Sequence, residues 1–167
     1  MKTCVTGIIL ILLAVGIIPV SVLANTATIE KVIQGDRIQI KGWEVVRLTG
    51  ITVPKLEEPC GREAFELTKQ ELEGKLVVIA TYTTDGTAAG IVRDAEGLCM
   101  VNIEYGGETR SKGEIAEGES KAVDFNALML EKGLARVDEK YLPDHLQHYR
   151  ELEKTAQENK IGIWQKE

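Results

Sequence analysis

A chain of 167 residues that is 44% hydrophobic and only 5% aromatic suits one domain with an adequate core, and it is too short for two. Its 20 basic residues against 26 acidic ones leave a formal charge of −6, which argues against strong nonspecific nucleic-acid binding through bulk positive charge. A local basic cleft is still compatible with such an acidic body.

Residues 1–24 read as a targeting segment. Lys2 and the free amine precede an almost unbroken apolar run from Val5 to Val20, and Val22-Leu23-Ala24 suits a signal-peptidase site, so cleavage before Asn25 is expected. The alternative is an uncleaved anchor through residues 4–22, because the run is near the lower length limit of a membrane span. Either way the folded part is expected to be exported, as a secreted, periplasmic or otherwise extracytoplasmic domain over 25–167. A membrane is a partner only if the segment is uncleaved. Cys4 precedes the apolar run, which leaves Cys60 and Cys99 in the domain. They read as a disulfide or as two small apolar residues at separate core sites.

The domain opens with short strands. Thr28 to Ile33 alternates weakly and leads to Gly35, which permits a tight turn before Asp36. Ile38 and Ile40 alternate with Arg37, Gln39 and Lys41, the period of a half-buried strand. Lys41-Gly42 is a turn, and Trp43 to Leu48 resumes as β-rich sequence, giving a three-strand meander. Pro54 ends the ladder, and the loop Thr49–Gly61 also carries Pro59 and the acidic pair Glu57-Glu58.

Ala64, Leu67, Thr68 and Leu72 recur at helical spacing within a helix over Arg62–Glu73, stopped by Gly74. Leu76 to Ala80 reads as a buried strand, Thr83–Gly86 as a turn, and Thr87 to Val92 as the next strand. Asp94–Gly97 is a further turn and Leu98–Tyr105 a further strand, while Gly106–Ala122 has the composition of a loop. Asp124 caps a helix over Phe125–Lys132 that Gly133 closes, and Leu134–Val137 is extended. Pro143 and Asp144 open a last helix with an apolar stripe of Leu142, Leu146, Tyr149, Leu152 and Ala156, ended by Gly162. His145 and His148 stand three apart on it, a spacing that suits a metal or simply a polar face.

This order of elements is met by a mainly β, α+β fold: a five-stranded OB-type barrel with one inserted helix and two C-terminal helices. GDRIQI followed by VRLTGITVP also resembles the GDT-V-x-V … RL-x-G-I-D-x-P-E signature of the staphylococcal nuclease-like (thermonuclease) family. Further along, GREAFELTK, DFNALMLEKGLARV and KIGIW are similar to that family's G-x-E-A-x-x-x-T-K, V-N-x-x-L-V-x-x-G-L-A-x-V and K-x-G-L-W. The resemblance covers most of Ala27–Trp164, with 98–122 standing outside it as an insertion.

The resemblance implies a calcium-dependent nuclease ancestry. Asp36 matches the first metal-binding aspartate and Arg47 the first catalytic arginine. The second metal-binding aspartate falls on Thr52, the general-base glutamate on Lys55, and the second arginine, in a Y-G-R motif opening a strand, on Thr87. Phosphodiester cleavage of this kind needs a cation, a carboxylate that orients or deprotonates water, and arginines that offset charge on phosphorus. Second ligand, base and second arginine are all replaced. Two functions follow: a non-catalytic binding module that takes a ligand in the OB cleft, with calcium bound weakly or not at all, or an extracytoplasmic, calcium-dependent nuclease of DNA or RNA with a rearranged site.

Overall fold

The computed structural model describes residues 25–81, 91–106, 122–141 and 146–165. The segment 1–24 read as a targeting sequence, Thr87 and His145 lie outside the described residues. The chain runs β1 (Asn25–Gln34), β2 (Arg37–Ile40), β3 (Val45–Leu48), β4 (Ile51–Thr52), α1 (Gly61–Leu72), β5 (Leu76–Thr81), β6 (Cys99–Tyr105), β7 (Val123–Asp124), α2 (Phe125–Glu131), β8 (Arg136–Val137) and α3 (Leu146–Glu158).

Strand β1 is the spine of the barrel. Its first four residues pair antiparallel with β5, from Asn25 opposite Ile79 to Thr28 opposite Leu76, and its remainder pairs with β2, from Ile29 opposite Ile40 to Gln34 opposite Arg37. Register shifts between Ile29 and Lys31 and between Val32 and Gln34 coil the strand, as an extra residue in a ladder does. One strand therefore serves two neighbours. The sheet continues as β3-β2-β1-β5-β6, and a parallel pairing of Val46, Arg47 and Leu48 with Cys99, Met100 and Val101 closes it into a five-stranded barrel. With α1 inserted after the first strands and α2 and α3 after the last, the fold is the OB-type barrel expected from the order of elements.

Two details differ from the sequence reading. Trp43 stands in the turn before β3, 43% exposed, because the ladder resumes only at Val45. The segment 98–122, read as an insertion, begins with β6, which is a barrel strand in its own right, buried along Cys99–Ile103. Residues 107–121 lie outside the described residues.

The core is filled by alternate strand positions, among them Ile29, Ile38, Ile40, Val46, Leu48, Val101 and Ile103, and is closed by Phe125, Met129, Leu130 and Tyr149 from α2 and α3. Alternation has a consequence for the site. Ile38 and Ile40 face in, so Arg37 and Gln39 face out; Val46 and Leu48 face in, so Arg47 faces out. Helix α1 packs beneath the β1–β2 turn, where Thr68 donates its hydroxyl to the Gly35 carbonyl at 2.8 Å. Any larger residue at position 35 would force its neighbours to shift: an added Cβ would lie 2.6 Å from the Val53 side chain and 3.3 Å from that of Ala64. This contact seats Asp36 at the junction of α1 and the mouth of the barrel.

Cys60 and Cys99 are not bonded to each other and stand at two separate sites, the alternative to a disulfide. Cys99 is enclosed in β6 opposite Val46, and Cys60 precedes α1 and packs against the same core from outside the sheet.

Candidate functional site

Arg37 and Arg47 are directly opposite each other on the antiparallel pair β2 and β3. Two like charges in that register repel unless anions lie between them. The anions come from two places. Asp36, 5% exposed, accepts from Arg47 Nε at 3.0 Å through Oδ2. The turn before β6 supplies the others: Asp94 Oδ2 lies 3.4 Å from Arg47 Nη1, and Glu96 accepts from both terminal nitrogens of Arg37 at 2.8 and 2.5 Å.

The turn is rigidly built. Asp94 Oδ1 accepts from the backbone N–H groups of Glu96 and Leu98 at 2.8 and 2.9 Å, and Gly97 takes φ of 83°, a conformation natural to glycine. The Asp94 N–H donates to the Leu98 carbonyl and the Gly97 N–H to the Asp94 carbonyl. On its outer side Arg93 forms a two-pronged pair with Glu44 at 2.8 and 2.9 Å and donates to the Gly97 carbonyl at 2.7 Å. Three arginine–carboxylate links thus stitch the turn across β2 and β3.

Burial pushes the Asp36 carboxyl above its ordinary value of 3.8, and the adjacent Arg47 charge offsets only part of that. Asp94 moves the other way. Burial would raise it, but the N–H groups of Leu98 and Glu96 and the Arg47 guanidinium outweigh burial and hold it below 3.8. Burial also opposes the charge on Arg47, and the two aspartates more than compensate. Bidentate pairing with Arg37 lowers Glu96.

These shifts set a pH dependence with a defined sign. The folded value of Asp94 is below its unfolded one, so the stability it contributes is complete above about pH 4 and is lost as pH falls through the folded value. Asp36 is raised, so its contribution is complete at low pH and is lost as pH rises through its folded value. Asp94→Asn removes the first effect and keeps the second. Melting temperatures followed from neutral pH into the acid range should therefore fall less steeply in Asp94→Asn than in the unmodified protein.

The segment after β3 carries the family's other positions, and the residues around them are placed as follows. Thr52 is exposed in β4, opposite Arg136 of β8. Val53 is buried against the β1–β2 turn. Lys55 is exposed and makes no ion pair with Asp36 among the described residues. Its backbone is tightly held: its N–H donates to Glu58 Oε2 at 2.9 Å and its carbonyl accepts from the Glu58 N–H. Gly61 passes so close that an added Cβ would lie 1.7 Å from the Lys55 carbonyl oxygen. Glu57 and Glu58 are exposed, and Glu58 is spent on this local turn rather than aimed inward. Arg93 is exposed and paired with Glu44. His148 is exposed on α3.

The donor set does not suit calcium, which takes roughly six to eight oxygens and generally more than one carboxylate. Among the described residues no three His, Cys, Asp or Glu side chains gather as a metal site. Asp36 alone stands at the family position, and one of its oxygens is committed to Arg47.

Sequence reading missed Asp94 and Glu96, which it took as plain turn residues. A signal was present: two arginines at outward positions of adjacent strands require nearby acids, and D-A-E-G is a compact source of them.

A small closed barrel with three helices defines an OB-type α+β domain, here with an Asp36–Arg47 pair beside the β1–β2 turn. The family model for staphylococcal nuclease homologues matches residues 45–166, and the chain belongs to that family. The match begins at Val45, so Arg47, Thr52 and Lys55 lie within it and Asp36 precedes it. A search of curated proteins found no match.

Proposed function

We propose that this chain is an exported thermonuclease-like domain whose cleavage site has degenerated and which acts as a non-catalytic binding module. The observation that carries this reading is the state of Arg47. Arg47 is held between the carboxylates of Asp36 and Asp94, which already offset the positive charge that a phosphate would meet there. The positions where the family places its second ligand and its base hold an exposed threonine and an exposed lysine. Threonine is a neutral ligand, and an ammonium neither abstracts a proton from water at neutral pH nor tolerates a nearby cation.

The family's second arginine also has no counterpart here. Placed at Asp85-Gly86-Thr87 it becomes Thr87. The Y-G-R motif opens a strand, however, and the strand that closes this barrel is opened by Gly97-Leu98. There the residue after the glycine is Leu98, which is equally unable to stabilise charge on phosphorus.

The ligand is expected in the cleft of the barrel, and the net charge of −6 favours a partner other than bulk nucleic acid. Incubation of the purified protein with single-stranded DNA in millimolar calcium tests the reading. The expected result is no cleavage beyond that of Asp36→Ala. Sustained calcium-dependent cleavage that disappears in Asp36→Ala would instead establish the active-nuclease alternative.

A further inference from the structure

We propose that the turn Arg93–Leu98 is a built-in anionic ligand: Asp94 and Glu96 occupy the paired guanidiniums of Arg47 and Arg37 and hold small phosphate-bearing anions out of the cleft. The inference rests on the non-catalytic reading above and deepens it, by naming what the cleft would take if it were uncovered.

Two guanidiniums side by side on one face of a sheet offer planar donor pairs at the spacing of neighbouring strands, an arrangement suited to a compact polyanion such as pyrophosphate. Both are already engaged, and by the same short turn. Glu96 meets Arg37 with both oxygens, and Asp94 meets Arg47 with one. The carboxylates are presented as a bound anion would be. Their backbone is fixed by five hydrogen bonds internal to the turn and by Arg93 on Glu44.

The two halves differ. The Asp94 side chain is 2% exposed and fastened to two backbone N–H groups, so it is the permanent part. The Glu96 side chain is 57% exposed and, among the described residues, held through Arg37, so it is the displaceable part. An incoming anion would first compete with Glu96 for Arg37.

Pyrophosphate titrated calorimetrically into the full-length protein at low salt tests this. Glu96→Gln is expected to bind about tenfold more tightly than the unmodified protein, because one bidentate guanidinium is released. Asp94→Asn combined with Glu96→Gln is expected to bind more tightly still, and adding Arg37→Gln to Glu96→Gln should return affinity to the starting level. Equal affinity of Glu96→Gln and the unmodified protein would overturn the proposal, as would a gain that survives Arg37→Gln. If near-ultraviolet circular dichroism shows that the double variant does not fold, the Glu96→Gln comparison decides, since that side chain faces solvent. The same samples separate this inference from the reading beneath it. Tighter pyrophosphate binding with DNA cleavage would leave the turn's role standing and remove the non-catalytic assignment.

Discussion

Arg47→Ala is expected to destabilise the fold by roughly 3–5 kcal/mol, the usual cost of removing one partner from a buried charge pair. Asp36 is 5% exposed and Asp94 8%, and both lose their shared counter-charge when the guanidinium is removed. Asp36 has a partial escape, since burial already raises its proton affinity and without Arg47 it protonates more readily still. Asp94 has less, because its two backbone donors favour the charged form. Urea denaturation at neutral pH measures the loss, and the contribution from Asp36 should shrink as the pH is lowered. Arg37→Ala is the matched comparison. Its pair with Glu96 is shorter and bidentate yet lies at the surface, so its removal should cost no more than about 1 kcal/mol. Burial, not distance, decides between them.

The size of that loss also bears on function. Residues kept for catalysis are commonly strained or poorly satisfied, and replacing them often leaves stability unchanged or higher. An arginine whose removal unfolds the barrel has become part of the scaffold. A loss below about 1 kcal/mol for Arg47→Ala would return it to the class of functional residues held ready for a ligand.

Much of the barrel was legible because its signals are local. Alternation in RIQI and VVRL placed β2 and β3 and sent both arginines outward. Asp124 capped α2 as its position suggested, accepting from the Ala127 N–H at 3.1 Å, and Gly133 follows that helix with φ of 64°. The site was legible only by halves. Asp36 and Arg47 are close in sequence and joined by one meander, so their contact followed from strand pairing. Asp94 reaches Arg47 across 47 residues, and Glu96 reaches Arg37 across 59, through the parallel closure of β3 on β6. Nothing local encodes a closure of that kind. Residues 98–105 read correctly as a strand, but the lack of a counterpart in the family signature makes that strand look like the start of an insertion, when it is the strand that closes the barrel.

Asn126→Ala is expected to cost roughly 2–4 kcal/mol, and the reason lies in how the loop beside the cleft is anchored. Asn126 is fully buried at the start of α2. Its Nδ2 donates to the Thr49 carbonyl at 2.9 Å and to the Val101 carbonyl at 3.3 Å, and its Oδ1 accepts from the Ile103 N–H at 3.4 Å. One side chain thus ties α2 to β6 and to Thr49, the first residue of the segment that leads to Thr52 and Lys55. The Thr49 N–H adds a backbone bond to the Val101 carbonyl at 2.8 Å. Alanine removes the side-chain amide and leaves polar backbone in a dry interior, where an unmet hydrogen bond costs more than a met one contributes. Asn126→Asp keeps the acceptor and the shape but loses the two donations, and places a charge there. It should be at least as destabilising as alanine at neutral pH and recover as acid protonates it. Hydrogen exchange offers the sharper readout. Protection at Thr49 and Ile103 should fall in Asn126→Ala by more than the global loss of stability accounts for, while protection along β1 and β5 should follow the global loss alone. Uniform loss across all these amides would mean that Asn126 supports the barrel as a whole and has no particular hold on the loop.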